Sequence, residues 1–454
     1  MKNKLSRRQF IKTVAGASAL AFAAPRIVSA QNVNSKIGFA FIGTAGRGGA
    51  HLGLANGSDG ICVAYCDVDK SRWGDKNKKG IWLPDRWPNA GAYQDYRKMF
   101  EKSGRDIDAV TVAVPDHTHA PASLMAMKMG KHVYCEKPLT WSIEEARLMA
   151  KVCAEKKLAT QMGNQGHANR GNRVVVEWVQ GGILGDIKEV HTWTNRPVWK
   201  TQGITRRPPT QPVPANLDWD CWIGAAPFRQ YHAGLHSFDW RGWFDFGCGT
   251  VGDMGCHTWD CVNWSMAPDY PTSVEVIAIQ GCGYPETYPK QVHFKWEFPE
   301  KNGRKAFTAH WYSGGLTPPA PPEMEGKPLD KSASLFFGTK GVLYVRGDYA
   351  DSPRLIPESA MKNRPESKIK IEPSPGHHEE WVMAVKGEKP WDFPKSNFLY
   401  AGPMTELMLL GCVAIKLNKP GFKIECDPVK REVKTKEAIA LLSRKPRQGW
   451  SYSV

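Results

Sequence analysis

The chain has 454 residues, with 61 Lys and Arg against 45 Asp and Glu, a formal charge of +16. Hydrophobic residues at 41%, with 18 Trp, 17 Phe and 13 Tyr, supply packed cores and exclude a dominantly disordered chain. The length suits two or three domains, and the charge raises a nucleic-acid partner as the first idea to test.

The first thirty residues read as an address. Ser6-Arg7-Arg8-Gln9-Phe10-Ile11-Lys12 forms a twin-arginine signal, Val14 to Ala24 an apolar run, and Val28-Ser29-Ala30 a small-residue cleavage pattern. The expected working protein is therefore periplasmic, carried across the membrane already folded, with any cofactor loaded beforehand. Removing residues 1–30 takes away Lys2, Lys4, Arg7, Arg8, Lys12 and Arg26 and no acid, leaving +10. The remaining basic residues are scattered and no block of five like charges survives, so no nucleic-acid partner is expected. No integral membrane segment is expected after signal removal. The 11 cysteines contain no CxxC pair and no zinc or iron–sulfur spacing. Folding in a reducing compartment then implies mostly free, buried thiols, and no metal centre is expected.

Ile37 to Ile42 is a short apolar run that predicts a buried strand. Gly43-Thr44-Ala45-Gly46-Arg47-Gly48-Gly49 follows at once, then a stretch read as helix from Ala50 to Asn56. Ile61 to Cys66 predicts a second strand, ending in Asp67. This order of strand, glycine turn, helix, strand and acid is that of a dinucleotide-binding unit. The turn brings free N–H groups to a pyrophosphate, and the acid accepts from ribose hydroxyls. Asp67 lies 24 residues after Gly43 and favours NAD, while Lys70 and Arg72 leave NADP open. In G-x-G-x-x-G register the glycines are Gly43 and Gly48, with Ala45 in the middle place and Gly46 beside it.

The alternation continues through a helix at Tyr96–Lys102, a strand at 108–114 and a helix at Pro121–Met129. A strand at Val133–Cys135 leads to a helix opened by Ser142 with Glu145 as capping-box partner, then a strand at Leu158–Met162. Such alternation predicts an α/β fold with a parallel doubly wound sheet and ligands at the strands' carboxyl ends. Asp116-His117-Thr118-His119 and Glu136-Lys137-Pro138 occupy such ends, and a cis peptide before Pro138 is open.

Asp253 and His257 are spaced i, i+4, on one face of a predicted helix after a glycine-rich approach. Further strands are predicted at Ile187–Trp193, Ser273–Gln280, Val292–Phe298, Ala306–Trp311, Leu335–Phe337 and Gly341–Val345. Gly376-His377-His378-Glu379-Glu380-Trp381 reads as the acidic first turn of a helix in preference to a metal cluster.

The glycine turn, Pro115-Asp116-His117-Thr118-His119, Gly130 to Leu139 with its Glu136-Lys137-Pro138, and Asp253-Met254-Gly255-Cys256-His257 together resemble the glucose–fructose oxidoreductase, inositol dehydrogenase and MocA-like (Gfo/Idh/MocA) family. Gly163-Asn164-Gln165-Gly166-His167 and Leu217 to Gly224 resemble its exported, sugar-processing branch. The resemblance implies a Rossmann domain over residues 31–163. It implies a substrate-binding and oligomerisation α/β domain over 164–454, with a large, mostly antiparallel open sheet, and a homo-oligomer, dimer or tetramer. It implies cofactor contacts from Gly43, Ala45, Gly46, Arg47, Gly48, Asp67, Pro115, His119, Glu136, Lys137 and Gln165. Lys137 would reach the reacting oxygen beside the nicotinamide.

The expected reaction is oxidation of a sugar or glycoside hydroxyl by hydride transfer to tightly bound NAD(P). His257 would act as base with a pKa near working pH, Asp253 would orient it or bind a hydroxyl, and Lys137 would stabilise alkoxide charge. Trp219, Trp222, His167, His232 and Arg241 are the candidate substrate contacts, and the tryptophans of the second half suit a sugar face. Two alternatives stand beside this. One is an NAD-dependent glycosidase acting by transient oxidation, elimination and re-reduction, though that group tends to lack the lysine at the place of Lys137. The other is a non-catalytic sugar-binding module.

Overall fold

A computed structural model describes residues 36–452 except 58, 75–81, 202–203 and 282–283. The export signal read in residues 1–30 lies outside the described residues.

Six strands form a parallel sheet: β1 (Ile37–Ile42), β2 (Gly60–Cys66), β3 (Gly91–Tyr93), β4 (Ala109–Val112), β5 (His132–Cys135) and β6 (Thr160–Met162). Their order is β3-β2-β1-β4-β5-β6, so the sheet reverses direction of growth between β1 and β4. A crevice at that switch point, beyond the strands' carboxyl ends, is where such sheets bind ligands.

Nine strands form the second sheet: β7 (Ile187–Trp193), β8 (Ser273–Gln280), β9 (Gln291–Phe298), β10 (Phe307–Ser313), β11 (Ala333–Gly338), β12 (Gly341–Arg346), β13 (Ser352–Ile356), β14 (Lys423–Asp427) and β15 (Glu432–Val433). The order is β13-β12-β11-β7-β10-β9-β8-β14-β15, antiparallel throughout except for the β7–β10 pair. The fold is the expected Rossmann sheet joined to a large, mostly antiparallel one. Sequence patterning did not single out β13, β14 or β15.

Two elements of the first domain depart from expectation. The stretch after the glycine turn is not an α-helix but two 3-10 turns, Gly48–Ala50 and Leu52–Ala55. Gly48, Gly49 and Gly53 make a continuous helix costly there. The helix after β4 spans Asp116–Lys128, starting five residues before Pro121. Pro121 is tolerated inside it, and Asp116, His117 and His119 stand on its first turns.

A parallel sheet needs cover on both faces. The short 3-10 turns leave part of one face bare, and the helix His377–Val385 fills it. Trp381 of that helix is fully buried, lies 5.9 Å from Phe39 and 5.7 Å from Tyr134 between ring centres, and donates from Nε1 to the Ala159 carbonyl at 3.0 Å. The 377–381 segment is therefore the start of a helix, as expected.

The 20-residue helix Phe398–Leu417 is long and apolar enough to cross a membrane by length and composition, but 83% of its most apolar window is buried inside the protein. It packs against the helices Ile143–Lys156 and Gly249–Thr258. Its Glu406 pairs with Arg147 and Arg431, so this is a core helix. Ten described cysteines are free, all buried but the half-buried Cys62.

Candidate active site

A cavity of about 550 Å³ opens at the carboxyl ends of β1, β2, β4 and β5 and is closed by residues of the second domain. Gly43, Ala45, Gly46 and Arg47 line it from the first turn, and Asp67, Pro115, His119, Glu136, Lys137 and Gln165 from the later strand ends and the turn after β6. Trp222, Arg241 and His257 face it from the second domain. Sequence spacing alone could not show that these residues meet.

The turn has its shape for a stereochemical reason. Gly43 has φ +83°, and a Cβ there would stand 2.2 Å from the Ala113 carbonyl oxygen. Gly48 does not line the cavity. A Cβ on it would lie 2.1 Å from the Gly43 carbonyl, so its role is to let the turn fold back on itself rather than to touch a ligand. Ala45 replaces the middle glycine without closing the cavity, while Gly46 at φ +58° supplies the left-handed conformation beside it.

Asp67 accepts from the backbone N–H groups of Thr44 (3.1 Å) and Asp69 (3.1 Å). Burial raises its pKa, and those two donors work in the opposite direction. The carboxylate sits at the β2 end of the cavity, where ribose hydroxyls of a dinucleotide would give it the donors it lacks. Arg72 lines the same end.

Glu136 joins the far side of the turn to the sheet. It accepts from Arg47 Nε at 2.8 Å, has His51 Nε2 at 3.1 Å, and its pKa is lowered because His51 and Arg47 outweigh burial. Arg47 also donates to Gln165 Oε1 at 3.2 Å. Three residues assigned to the cofactor from scattered motifs thus form one bridge. His119 lines the cavity with its ring anchored by the carbonyls of Pro138 (2.6 Å) and Val114 (2.9 Å), which ties the helix start to the Lys137–Pro138 turn. The Lys137–Pro138 peptide is cis.

The candidate reactive groups meet across the domain boundary. Lys137 Nζ donates to the Asp253 carbonyl (2.8 Å) and to Asp253 Oδ1 (2.9 Å). Burial disfavours the ammonium, but Asp253 outweighs it and the Lys137 pKa is raised. Burial alone would push Asp253 up, yet Lys137 and then Arg241, whose Nε is 3.4 Å away, hold it at about 2.

Asp253 itself does not line the cavity; it holds Lys137 and Arg241, which do. Among the described residues no hydrogen bond joins it to His257, so orientation of the imidazole by Asp253 is corrected to orientation of Lys137. The proposed ionisation of His257 is also corrected. Burial, then the Lys137 charge, lowers its pKa to about 3, and the ring is neutral throughout the neutral range. Its Nδ1 is buried without a hydrogen-bond partner among the described residues, and the ring meets Tyr349 edge-on at 4.9 Å between ring centres.

The substrate candidates divide. Trp222 and Arg241 line the cavity. Trp219 does not; it stacks on Trp222 at 4.5 Å and donates to the Arg229 carbonyl at 2.7 Å, supporting the wall from behind. His167 is buried away from the cavity, with Nδ1 2.9 Å from Asp260 and the ring stacked on Trp264. The 3-10 turn Gln165–Ala168 sends Gln165 inward and His167 toward the helix Asp260–Met266. His232 is buried beside Trp243 and does not line the cavity. Of the second-half tryptophans, Trp222 and Trp240 line it, whereas Trp193, Trp199, Trp243 and Trp259 are fully buried core.

Four other features were not assigned from sequence. Tyr349, on the turn between β12 and β13, reaches the cavity from a hairpin with no local motif. His236 and Phe238 line it from a segment of irregular backbone. Asp116, at the start of its helix, accepts from the Cys248 N–H at 2.9 Å, and burial raises its pKa to about 7. Its position at a strand end was the available signal.

Comparison with known proteins agrees with this geometry. A model of an oxidoreductase family with an NAD-binding Rossmann fold matches residues 37–164, and a model of that family's C-terminal alpha/beta domain matches residues 173–296. An inositol 2-dehydrogenase of Rubrobacter xylanophilus is 27% identical over 267 residues, 55% of this chain and 67% of that protein. A glycosyl hydrolase family 109 protein of Shewanella pealeana is 26% identical over 208 residues, 40% of this chain and under half (44%) of that protein.

The fold also resembles the WlbA dehydrogenase from Bordetella pertussis in complex with NADH and UDP-GlcNAcA. That match has a TM-score of 0.58 and 16% identity, and covers 87% of this chain and 99% of that one. An inositol dehydrogenase homolog from Azotobacter vinelandii, complexed with NADH and myo-inositol, has a TM-score of 0.55 and 16% identity, covering 86% and 98%. With the two family domains matched across more than half of its length, on sheets of the order found here, the chain belongs to the Gfo/Idh/MocA oxidoreductase family and carries its NAD-binding Rossmann fold.

Proposed function

We propose that the protein oxidises a secondary hydroxyl of a sugar or glycoside to a ketone, using NAD that stays bound through the catalytic cycle. The observation that carries this is the Lys137 ammonium, fixed by Asp253 in the cavity that the glycine turn and the neutral ring of His257 also line. Bound NAD would supply the acceptor for the carbinol hydride. The glycine turn and Asp67 suit its pyrophosphate and ribose.

Lys137 has three N–H donors, and Asp253 takes two. The third, without a partner among the described residues, would hold the substrate oxygen and stabilise negative charge as it develops. His257 is unprotonated and able to accept the hydroxyl proton, with the nearby Asp253 charge favouring the imidazolium while it exists. Arg241 and the faces of Trp222 and Trp240 would position the remaining ring. The balance is an alcohol and NAD⁺ giving a ketone, NADH and a proton, after which a second carbonyl substrate or an electron acceptor takes the hydride and restores the bound NAD⁺.

Retention of NAD is supported by the segment that crosses the β2 end. The Asp218 N–H donates to the Val68 carbonyl (2.8 Å), and the Lys70 N–H to the Asn216 carbonyl (2.9 Å). Gln94 Nε2 donates to both Val68 and Asn216 carbonyls, and His236 Nε2 lies 3.0 Å from Asp69. A cofactor whose ribose met Asp67 would have second-domain backbone beside that end. Retention also fits export of the folded protein by the signal in residues 1–30 into a periplasm with no dependable NAD pool. The half-buried outer side of the nine-stranded sheet, with no helix described across it, is the surface on which a homo-oligomer would form.

A second reading draws on the glycosyl hydrolase family 109 relatives: transient oxidation, elimination of the aglycone and return of the hydride. Lys137 favours the dehydrogenase. The experiment is to purify the protein, quantify bound nucleotide and follow products from a panel of glycosides. A keto-sugar supports oxidation, and free aglycone without an added acceptor supports the second reading. Nucleotide-free protein with no spectral response to any glycoside overturns both.

A further inference from the structure

The nine-stranded sheet has two faces with different contents. Thr192 and Ser334 point toward the helix Gly249–Thr258, since their hydroxyls lie 3.1 Å apart and Ser334 donates to the Thr258 carbonyl at 3.2 Å. Side chains alternate along a strand, so Glu189 and His191 of β7 point to the opposite face. His310 of β10 is directly paired with His191 in the parallel ladder, and the two imidazoles stack at 4.7 Å and 6°. No proposed catalytic group lies on this face.

Both rings present the same nitrogen to one carboxylate. His191 Nε2 lies 3.0 Å and His310 Nε2 3.2 Å from Glu189 Oε1. All three atoms fall within 4.8 Å of one another. Bonds of 2.0–2.1 Å at tetrahedral angles put neighbouring ligand atoms about 3.3 Å apart, so the two nitrogen–oxygen separations already suit an ion, while the stacked rings would have to turn toward each other to aim both lone pairs at it.

The other nitrogens are also engaged. His191 Nδ1 lies 3.0 Å from the Tyr312 hydroxyl, and His310 Nδ1 lies 3.0 Å from His293 Nε2. Outer partners of this kind set the tautomer of a ligating histidine and aim its free lone pair. Glu189 is the more exposed member, at 44% of its side chain, so the cluster has an open side.

We propose that Glu189 Oε1, His191 Nε2 and His310 Nε2 form a site for a divalent transition-metal ion of the zinc class, on the sheet face opposite the catalytic cavity and separate from it. Two imidazoles and one carboxylate suit zinc over magnesium or calcium, which prefer all-oxygen sites. The open side leaves a fourth position for water or for a donor from another molecule.

The test uses the full chain after chelator treatment, titrated with Zn²⁺ by calorimetry. One Zn²⁺ per chain is expected, with no binding of Mg²⁺. Glu189→Gln and His310→Gln should each weaken Zn²⁺ at least ~10-fold, with the metal-free melting temperature and glycoside turnover unchanged. Cys62→Ser, which removes the half-buried thiol, should bind as the parent does. Co²⁺ loaded into the unmodified chain should give a tetrahedral nitrogen–oxygen spectrum without thiolate charge transfer. Absence of Zn²⁺ binding, equal binding by the His191→Gln/His310→Gln double variant, or a thiolate band with Co²⁺ would overturn the proposal.

Discussion

Lys137 illustrates how much one side chain can depend on its neighbour. Its charge is kept in a buried place because Asp253 outweighs desolvation, and the same contact aims the amine at the cavity. Replacing Lys137 by Met should reduce turnover about 10²–10³-fold, the usual loss for one charge-stabilising donor, as read from steady-state kinetics. Full turnover in that variant would remove Lys137 from the mechanism. Asp116 gives a pH prediction. The folded chain holds a proton on it up to about pH 7, whereas the unfolded chain releases it near 3.8. Its favourable contribution is therefore complete below about pH 3.8 and is lost as the pH rises through about 7. Asp116→Asn keeps an acceptor for the Cys248 N–H and has no charge to bury. Its stability relative to the parent should rise by up to a few kcal/mol between pH 4 and pH 8, measured by urea midpoints. A constant difference across that range would contradict the assigned ionisation. Lys137, Asp253 and His257 were legible because they sit in compact motifs. The proton affinity of His257 was not, because burial sets it and burial belongs to the fold.

Secondary-structure elements were legible where their signals are local. Ser142 accepts from the Glu145 N–H at 3.3 Å while Glu145 Oε2 accepts from the Ser142 N–H at 2.9 Å, so the predicted capping box starts the helix Ile143–Lys156. Ser142→Ala should cost about 1 kcal/mol, read as a lower denaturant midpoint with no change in the transition slope. The β7 and β8 boundaries also match the patterning residue for residue. Failures came where local preference competes with packing. Glycines broke the expected helix after Gly49 into 3-10 turns. The helix at Asp116 began well ahead of Pro121, since its first turns are held from outside: His117 Nε2 and Nδ1 meet the carbonyls of Trp222 (2.8 Å) and Phe246 (3.2 Å). Those partners lie more than a hundred residues away and leave no mark on the local pattern.

At the scale of the whole molecule, the chain returns to complete its own beginning. Trp381 closes the sheet face that the 3-10 turns leave bare, 342 positions after its neighbour Phe39. Trp381→Ala should destabilise the protein by about 3–5 kcal/mol and lower its melting temperature, through the cavity it leaves and the lost hydrogen bond to the Ala159 carbonyl. A loss below ~1 kcal/mol would show that the sheet face does not need this helix. The order of strands, glycines and acid established a doubly wound domain for NAD, because hydrophobic period, turn chemistry and capping act over a few residues and are written in chain order. The motifs also named the candidate reactive side chains. Which of the candidates share a cavity was decided by folding: Trp222 and Arg241 inside it, Trp219 behind the wall, His167 and His232 elsewhere, and Tyr349 present without any motif. Those outcomes depend on contacts between residues far apart in the chain, where a single strand register or helix rotation sets which side chain faces the ligand and which is buried away from it.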